Sequence, residues 1–239
     1  MPDTADEIER QRQYYAETAV QYEAMHVGEK DEHSFALSFL AGVLDYLEVK
    51  SVLDVGSGTG RAIQYLKRRC PKVRVVGIEP VKELRDIGHS QGLSKEELID
   101  GDATRLPFET GDFDLVCEFA VLHHLRKPKL AVAEMLRVAK KAIFISDSNN
   151  FGQGSATSRL LKQVLNGLGL WKAADLIATK GKGYKMSEGD GLAYSYSVFN
   201  NYKQIKAQCR SIHLLNTKDG EIDPYKTAGH VALLGIKKD

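Results

Sequence analysis

The strongest chemical signal in the sequence is a glycine-rich segment that directly follows a short apolar run and an acidic residue. Asp54 is followed at every second position by Gly56, Gly58 and Gly60. Glycine has no Cβ, so such a segment can turn sharply and let its backbone approach a bound molecule. Residues 52–55 predict a buried strand, and a helical pattern follows the last glycine. The segment therefore predicts a ligand-binding loop between a strand and a helix.

The spacing of these glycines differs from the fingerprint of dinucleotide-binding enzymes. That fingerprint requires Gly-x-Gly-x-x-Gly, and Arg61 stands at its third glycine position here. A carboxylate at Asp54 would also repel a pyrophosphate, whereas it suits a cationic group. The loop therefore favours a cationic ligand over NAD or FAD, and an NAD-dependent oxidoreductase is kept as the rival interpretation.

A second acidic residue, Glu79, ends the next predicted strand and is followed by Pro80. A carboxylate at this position can accept hydrogen bonds from both hydroxyls of a ribose. Dehydrogenases carry an acid at the same place. Glu79 therefore predicts a nucleoside site without choosing between the two ligands.

The segment from Asp54 to Gly60 resembles the first motif of the class I S-adenosylmethionine-dependent methyltransferases. The resemblance implies that S-adenosylmethionine is the cofactor, that the loop passes beneath its methionine part, and that the acidic residue helps hold its amino group. Asp102 and Ala103 stand in a segment that resembles the third motif. By that resemblance Asp102 receives the adenine amino group, and the backbone amide of Ala103 meets a ring nitrogen.

The segment from Glu118 to Leu125 resembles the fourth motif of the small-molecule members of this family, whose strand end delivers side chains toward the transferable methyl group. Glu118 is therefore expected at the cofactor. The segment lacks the Asn-Pro-Pro-Tyr motif that is common in enzymes methylating nucleic-acid bases. The N-terminal segment also resembles a family feature, a helix that lies over the cofactor. Tyr15 and Tyr22 are two helical turns apart, so either ring could cover the sulfonium, or both could simply pack on the domain.

Two adjacent histidines, His123 and His124, are the predicted catalytic residues. Transfer of a methyl group to a hydroxyl or amine is helped by a general base, and imidazole has a suitable pKa. Neighbouring residues point in different directions, so one of the two is expected to face the substrate, and the alternative is that a histidine only packs or bonds to backbone. No third metal ligand stands at a familiar spacing, so no metal is predicted.

Residues 148–205 are predicted to form the substrate-specificity insertion. A basic glycine loop with Lys180, Lys182 and Lys185, followed by Tyr194 and Tyr196, suits an anionic or sugar-bearing small molecule. The predicted reaction is therefore O-methylation of such an acceptor. The alternatives are C-methylation of a quinone or lipid, with the apolar helix at 160–170 at a membrane surface, and cofactor binding without catalysis.

Strands and helices alternate up to residue 146, which predicts a parallel sheet with right-handed crossovers. Segments 212–215 and 231–236 predict a closing antiparallel hairpin. The expected fold is a single Rossmann-like α/β methyltransferase domain over 1–239, with a seven-stranded, mostly parallel sheet, helices on both faces and a helical cover at 1–45.

Composition narrows the expected partners. The chain has 239 residues, with 33 Lys and Arg against 32 Asp and Glu. This balance gives no basic field of the kind expected for nucleic-acid binding. The polar, acidic start, the absence of a long apolar run and three widely spaced cysteines lead us to expect a cytoplasmic protein without a membrane span. The sequence does not predict an oligomeric state.

Overall fold

A computed structural model describes residues 4–26, 28, 30–187, 189–218 and 222–238. Its β-strands are Ser51–Val55 (β1), Arg74–Ile78 (β2), Leu98–Ile99 (β3), Phe113–Phe119 (β4), Ala139–Ser148 (β5), Tyr184–Ser187 (β6), Gly191–Tyr194 (β7), Cys209–Asn216 (β8) and His230–Lys237 (β9). Its α-helices are Thr4–Thr18 (α1), Tyr22–His26 (α2), Glu32–Tyr46 (α3), Arg61–Arg69 (α4), Lys82–Ser90 (α5), Pro128–Val138 (α6), Ala156–Gly167 (α7), Trp171–Ala178 (α8) and Tyr202–Gln208 (α9). Turns of 3-10 helix lie at Ala19–Gln21, Leu122–His124, Asn150–Gly152 and Val198–Asn201.

Seven strands form one sheet in the order β3-β2-β1-β4-β5-β9-β8. The first five pair in parallel, whereas β9 runs antiparallel to both β5 and β8. The predicted α/β fold with a closing antiparallel hairpin is therefore confirmed. Strands β6 and β7 form a separate antiparallel hairpin inside the predicted specificity insertion, and the sequence pattern did not reveal it.

Alternate side chains of the central strands enter two separate cores, as the pleat of a strand requires. Leu53 and Val55 pack on the face covered by α6 and α9, together with Val116. Val52 and Phe144 pack on the opposite face, which α3 and α4 cover. Burial on both faces fixes the register of these strands. The carboxyl ends of β1, β2 and β4 are thereby held at one edge of the sheet.

The N-terminal segment departs from the single helix that was predicted across Tyr15 and Tyr22. Helix α1 ends at Thr18, whose Oγ1 donates a hydrogen bond of 2.8 Å to the carbonyl of Tyr14. Such a local bond competes with helix continuation, and a 3-10 turn then separates α1 from α2. The prediction that both rings lie on one continuous helix was wrong. The turn nevertheless brings the two rings together, with their centroids 5.9 Å apart.

Helices α7 and α8 lie at the surface of the molecule, and neither contains a buried residue. Helix α7 carries an apolar stripe of Leu160, Val164 and Leu168, the last just beyond its end; these side chains are 63%, 49% and 67% exposed. Among the described residues, no helix combines the length and the apolar character needed to cross a bilayer.

Candidate functional site

A cavity of about 230 Å³ opens at the carboxyl ends of β1, β2 and β4. Open α/β sheets bind their ligands at this edge. Helix α1 closes one side of the cavity with Ile8, Gln11, Arg12 and Tyr15. The predicted cofactor residues that line it are Tyr15, Tyr22, Asp54, Gly56, Glu79, Pro80, Asp102 and Ala103. The structure thus brings together residues that the sequence placed in four separate motifs.

The glycine loop crosses the floor of the cavity in a conformation that favours glycine. Gly56 has a φ of +73°, and a Cβ built there would lie 2.4 Å from Cγ2 of Val121. Gly58 has a φ of +55°, and its Cβ would lie 2.5 Å from the hydroxyl oxygen of Tyr22. Gly60, by contrast, makes room for Leu93 beneath helix α4. All three glycines thus make room for neighbouring side chains, and two of these, Val121 and Tyr22, line the cavity.

Two buried carboxyl groups face the cavity from neighbouring strands. Burial raises the pKa of Asp54 to about 6. Burial likewise raises the pKa of Glu79 to about 7, although its two oxygens accept hydrogen bonds from the backbone N–H groups of Gly58 and Val81 at 3.0 and 2.9 Å. Within the described residues neither carboxyl takes part in an ion pair. Both groups would therefore gain from a ligand that brings a cation or hydroxyl donors.

Asp102 lies at the far end of the cavity, beyond the end of β3. Its Oδ1 accepts hydrogen bonds of 2.7 Å from the backbone N–H and from the hydroxyl of Thr104. Its Oδ2 lies 3.7 Å from a guanidinium nitrogen of Arg12, which also lines the cavity. These bonds fix the turn that carries Ala103. Asp102 keeps lone pairs that can accept a hydrogen bond from an amino group, as the motif implies.

The two predicted catalytic histidines occupy different environments. His123 is buried and does not line the cavity. Its Nδ1 lies 2.7 Å from Oδ1 of Asp147, and its Nε2 lies 3.3 Å from Oδ2 of Asp190. Burial alone would lower the pKa of His123, but these two carboxylates raise it well above its usual range. His123 is therefore held as an imidazolium and is a poor general base.

His124 lines the cavity with its imidazole in the neutral form. Burial and the charge of His123 lower the pKa of His124 to about 4. Its Nδ1 lies 2.7 Å from the carbonyl oxygen of Leu192, closer than the 3.1 Å that separates it from Nε2 of Gln11. Because a carbonyl only accepts, Nδ1 carries the proton and Nε2 keeps its lone pair. The Tyr15 hydroxyl, 3.0 Å away, donates to that Nε2.

The remaining predicted site residues do not line the cavity. Glu118 is fully buried, and its Oε2 accepts a hydrogen bond of 2.9 Å from the N–H of Val121. Gly58 and Gly60 lie in the loop outside the cavity lining, where they pack against Tyr22 and Leu93. The exposed side chains of Lys180, Lys182 and Lys185 lie on the surface segment around β6, outside the cavity lining. Their contact with a substrate stays a prediction.

The two predicted substrate tyrosines also lie elsewhere in the fold. The hydroxyl of Tyr194 donates to Oε2 of Glu7 at 2.7 Å, which ties strand β7 to helix α1. Tyr196 is 2% exposed, and its hydroxyl donates to Oδ1 of Asn201 at 3.0 Å. Both rings therefore position the insertion against the core.

Asp190, Ala120 and Gln11 line the cavity without having been predicted. Asp190 stands in Gly189-Asp190-Gly191, which signals a tight turn but gives no hint of a site. Ala120 has a φ of +59°, an uncommon value for a residue with a Cβ, and such strain concentrates at functional sites. Gln11 holds the turn of Asp190 in place, since its Oε1 accepts from the N–H of Leu192 at 2.5 Å.

Comparison with known proteins accounts for this arrangement. Residues 53–145 match a family model described as a methyltransferase domain. This segment is similar to the methyltransferase-domain family, in agreement with the motifs that resemble those of the class I S-adenosylmethionine-dependent methyltransferases. The matched segment contains Asp54, Glu79, Asp102 and both histidines, so the cofactor half of the cavity lies within it.

Two curated relatives match part of this chain. A norajmaline N-methyltransferase from Rauvolfia serpentina is 34% identical over 95 residues, which cover 38% of this chain and 32% of that protein. A demethylmenaquinone methyltransferase from Deinococcus radiodurans is 37% identical over 93 residues, covering 37% of this chain and 38% of that protein. The matched segment thus spans about a third of the length of these relatives.

A solved structure extends the similarity to nearly the whole chain. A methyltransferase from Thermotoga maritima, described as a possible histamine N-methyltransferase, superposes with a TM-score of 0.57 at 19% identity. The superposition covers 95% of this chain and 99% of that one. At this identity the similarity shows the fold.

The cavity fits S-adenosylmethionine, the cofactor that the family match implies. The carboxyl of Asp54 is buried without a cationic partner among the described residues, which suits the cofactor's ammonium group. Glu79 and Asp102 offer acceptor oxygens for the ribose hydroxyls and the adenine amino group. A Cβ at Gly56 would press on Val121, which lines the cavity beside it. Each feature is a property of this chain and agrees with the role that the motif implies.

Proposed function

We propose that this chain transfers the methyl group of S-adenosylmethionine to an oxygen atom of a small molecule. The observation that carries the proposal is the pair of buried carboxyl groups, Asp54 and Glu79, beside a loop that only glycine can form. When bound, the cofactor supplies an activated methyl group on a positively charged sulfur. The protein then has to align the acceptor and exclude water.

His124 and Tyr15 mark the acceptor end of the cavity in this proposal. A hydroxyl acceptor that takes the position of the Tyr15 hydroxyl would donate its proton toward Nε2 of His124. That nitrogen is the unprotonated one, because Nδ1 donates to Leu192. A base of this kind is needed for an oxygen acceptor. Arg12, which also lines the cavity, is placed to hold an anionic or sugar-bearing group, the acceptor class that the sequence favours.

The proposal is tested with cofactor labelled in its methyl group and a panel of hydroxylated small molecules, including glycosides and carboxylates. Label should move to an oxygen atom of at least one acceptor, and His124→Asn should slow that transfer. The control is His213→Asn, since His213 is exposed on β8. Label that moves to carbon in a quinone or lipid, or that fails to move to any acceptor, would contradict the proposed reaction.

A second candidate, methylation of a lipid-soluble acceptor, is favoured by the exposed apolar stripe on α7. Leu160, Val164 and Leu168 recur at helical spacing on one face and lack a covering element within the described structure. Such a face can lie on a membrane surface. Sedimentation with anionic vesicles tests this candidate. Leu160→Glu together with Leu168→Glu should abolish co-sedimentation if the stripe makes the contact.

A further inference from the structure

Three potential metal ligands converge at the acceptor end of the cavity. The ligand atoms of His123, His124 and Asp190 all lie within 4.8 Å of one another. Nε2 of His123 lies 3.3 Å from Oδ2 of Asp190, and Nε2 of His124 lies 3.5 Å from Oδ1 of the same residue. Two imidazoles and one carboxylate form a donor set that suits zinc and other first-row divalent metals.

The lengths of these contacts match the edges of a metal site better than they match hydrogen bonds. Ligand atoms around a tetrahedral zinc lie roughly 3.3–3.5 Å apart, given metal–ligand distances of about 2.1 Å. Direct hydrogen bonds to carboxylates are shorter, about 2.7–2.9 Å. The same His123 makes such a short contact, 2.7 Å, to Asp147 through its other nitrogen. Oδ1 of Asp190 lies 3.4 Å from Nε2 of His123 and 3.5 Å from Nε2 of His124, so a single carboxylate oxygen faces both ring nitrogens.

The opposite nitrogen of each ring is anchored as metal-binding histidines require. Nδ1 of His123 is bonded to the buried carboxylate of Asp147, and Nδ1 of His124 is bonded to the carbonyl of Leu192. A carboxylate or carbonyl in this position orients the ring for metal binding through Nε2. Before an ion binds, Nε2 of His123 carries a proton and Nε2 of His124 accepts from the Tyr15 hydroxyl, so the ion would replace that proton and that hydrogen bond. Asp147 is itself held, since its Oδ2 accepts from the N–H groups of Leu122 and His123 at 2.8 and 3.2 Å.

We infer that His123, His124 and Asp190 bind a divalent transition-metal ion, with zinc as the representative, at the acceptor end of the cavity. His124 and Asp190 line the cavity, so the open coordination position faces it. That position suits the oxygen of a hydroxyl acceptor. This consequence, unlike the binding of the ion, rests on the proposed function. A metal ion would occupy the lone pair of His124 that otherwise accepts a proton. With the ion bound, the ion would lower the pKa of the acceptor hydroxyl, and the imidazole would not act as the base.

The sequence did not show this site because the third ligand lies far along the chain. His123 and Asp190 are 67 residues apart, and the β6–β7 hairpin brings them together. The pair of histidines alone has no metal spacing. Gln11 on α1 holds this turn, because its Nε2 donates to the carbonyl of Asp190 and its Oε1 accepts from the N–H of Leu192 on β7.

The test is a calorimetric titration of the full chain with Zn²⁺ after removal of metals by a chelator. The inference predicts one ion per chain at this site and a loss of affinity of at least tenfold in Asp190→Ala, in line with what such substitutions cost. Asp190 is partly exposed, so this variant should fold. Asp100→Ala is the matched control, because Asp100 is an exposed acid remote from the histidines.

Binding of S-adenosylhomocysteine to the same variants separates this inference from the proposed function. Asp190→Ala should still bind that compound, which shows that the variant is folded. Equal Zn²⁺ affinity in the wild type and Asp190→Ala would overturn the inference, as would the absence of Zn²⁺ binding by a wild type that still binds S-adenosylhomocysteine. Loss of S-adenosylhomocysteine binding by the wild type would count against the proposed function instead.

Discussion

The backbone N–H of Gly58 donates a hydrogen bond of 3.0 Å to Oε2 of Glu79, 21 residues further along the chain. The other oxygen of Glu79 accepts from the N–H of Val81 at 2.9 Å. One buried carboxyl group thus joins the glycine loop after β1 to the chain after β2. The loop and the acid form one unit, so a change in either should affect the binding of the cofactor.

Replacing Glu79 by Gln should weaken the binding of S-adenosylhomocysteine by about 10- to 100-fold. The reason is that hydrogen bonds to a charged acceptor are each worth about 1.5–3 kcal/mol, and the amide removes that charge. The amide NH₂ also cannot accept from the N–H of Gly58 or Val81, so Tm should fall. Calorimetry and thermal unfolding measure the two effects. The exposed Glu96→Gln should change neither, and an unchanged affinity in Glu79→Gln would show that this acid does not contact the cofactor.

Replacing Gly56 by Ala should lower both stability and affinity for S-adenosylhomocysteine. The new Cβ would meet Val121 at 2.4 Å in a backbone conformation with φ +73°. Gly111→Ala is the matched control, since Gly111 has φ +75° with open space around its Cβ position. The free energy of unfolding of the control should fall by only about 1–2 kcal/mol, the cost of a Cβ in a left-handed backbone conformation. Denaturant unfolding and calorimetry of the two variants isolate the effect of the clash, and equal results for both would contradict the assigned role of Gly56.

The affinity for S-adenosylhomocysteine should rise as pH increases from 5 to 8. Burial raises the pKa of Asp54 to about 6 and that of Glu79 to about 7, so both are protonated at the lower end of this range. A protonated carboxyl cannot attract an ammonium group, so binding must first remove the proton, and this cost disappears above each pKa. Calorimetric titrations with S-adenosylhomocysteine at several pH values measure the slope of this affinity against pH. Asp54→Asn should make it shallower, whereas an affinity that is constant over the range would contradict this account of the two acids.

Replacing His124 by Asn should reduce the rate of methyl transfer by about 10²- to 10⁴-fold, the usual contribution of a general base. The affinity for S-adenosylhomocysteine should stay within a factor of about three, because His124 lies at the acceptor end. Single-turnover kinetics with a labelled methyl group measure the rate once an acceptor is known. A variant with full activity would exclude this residue from the reaction.

The cofactor half of the site could be predicted from the sequence because it is built from local segments. Asp54 and Glu79 end neighbouring strands, and the parallel sheet places strand ends side by side. The same reasoning predicted the sheet and its closing hairpin. The central strands are buried on both faces, so they read as short apolar runs, and these runs are visible in the sequence.

The acceptor half could not be predicted in the same way because its contacts join distant parts of the chain. Tyr15 and His124 are 109 residues apart, and the contact depends on how α1 lies over the sheet. Asp190 depends on a short hairpin whose strands have four residues each. The end of α1 at Thr18 is also invisible to periodicity, because Thr18 carries no helix-stop signal in the sequence.

The most direct test of the central claim is a calorimetric titration of the purified chain with S-adenosylhomocysteine and, separately, with NADH. The account predicts that S-adenosylhomocysteine binds at one site, that NADH does not bind, and that Asp54→Asn weakens the binding of the former by at least tenfold. Binding of NADH alone, or an equal affinity of the wild type and Asp54→Asn for S-adenosylhomocysteine, would contradict it.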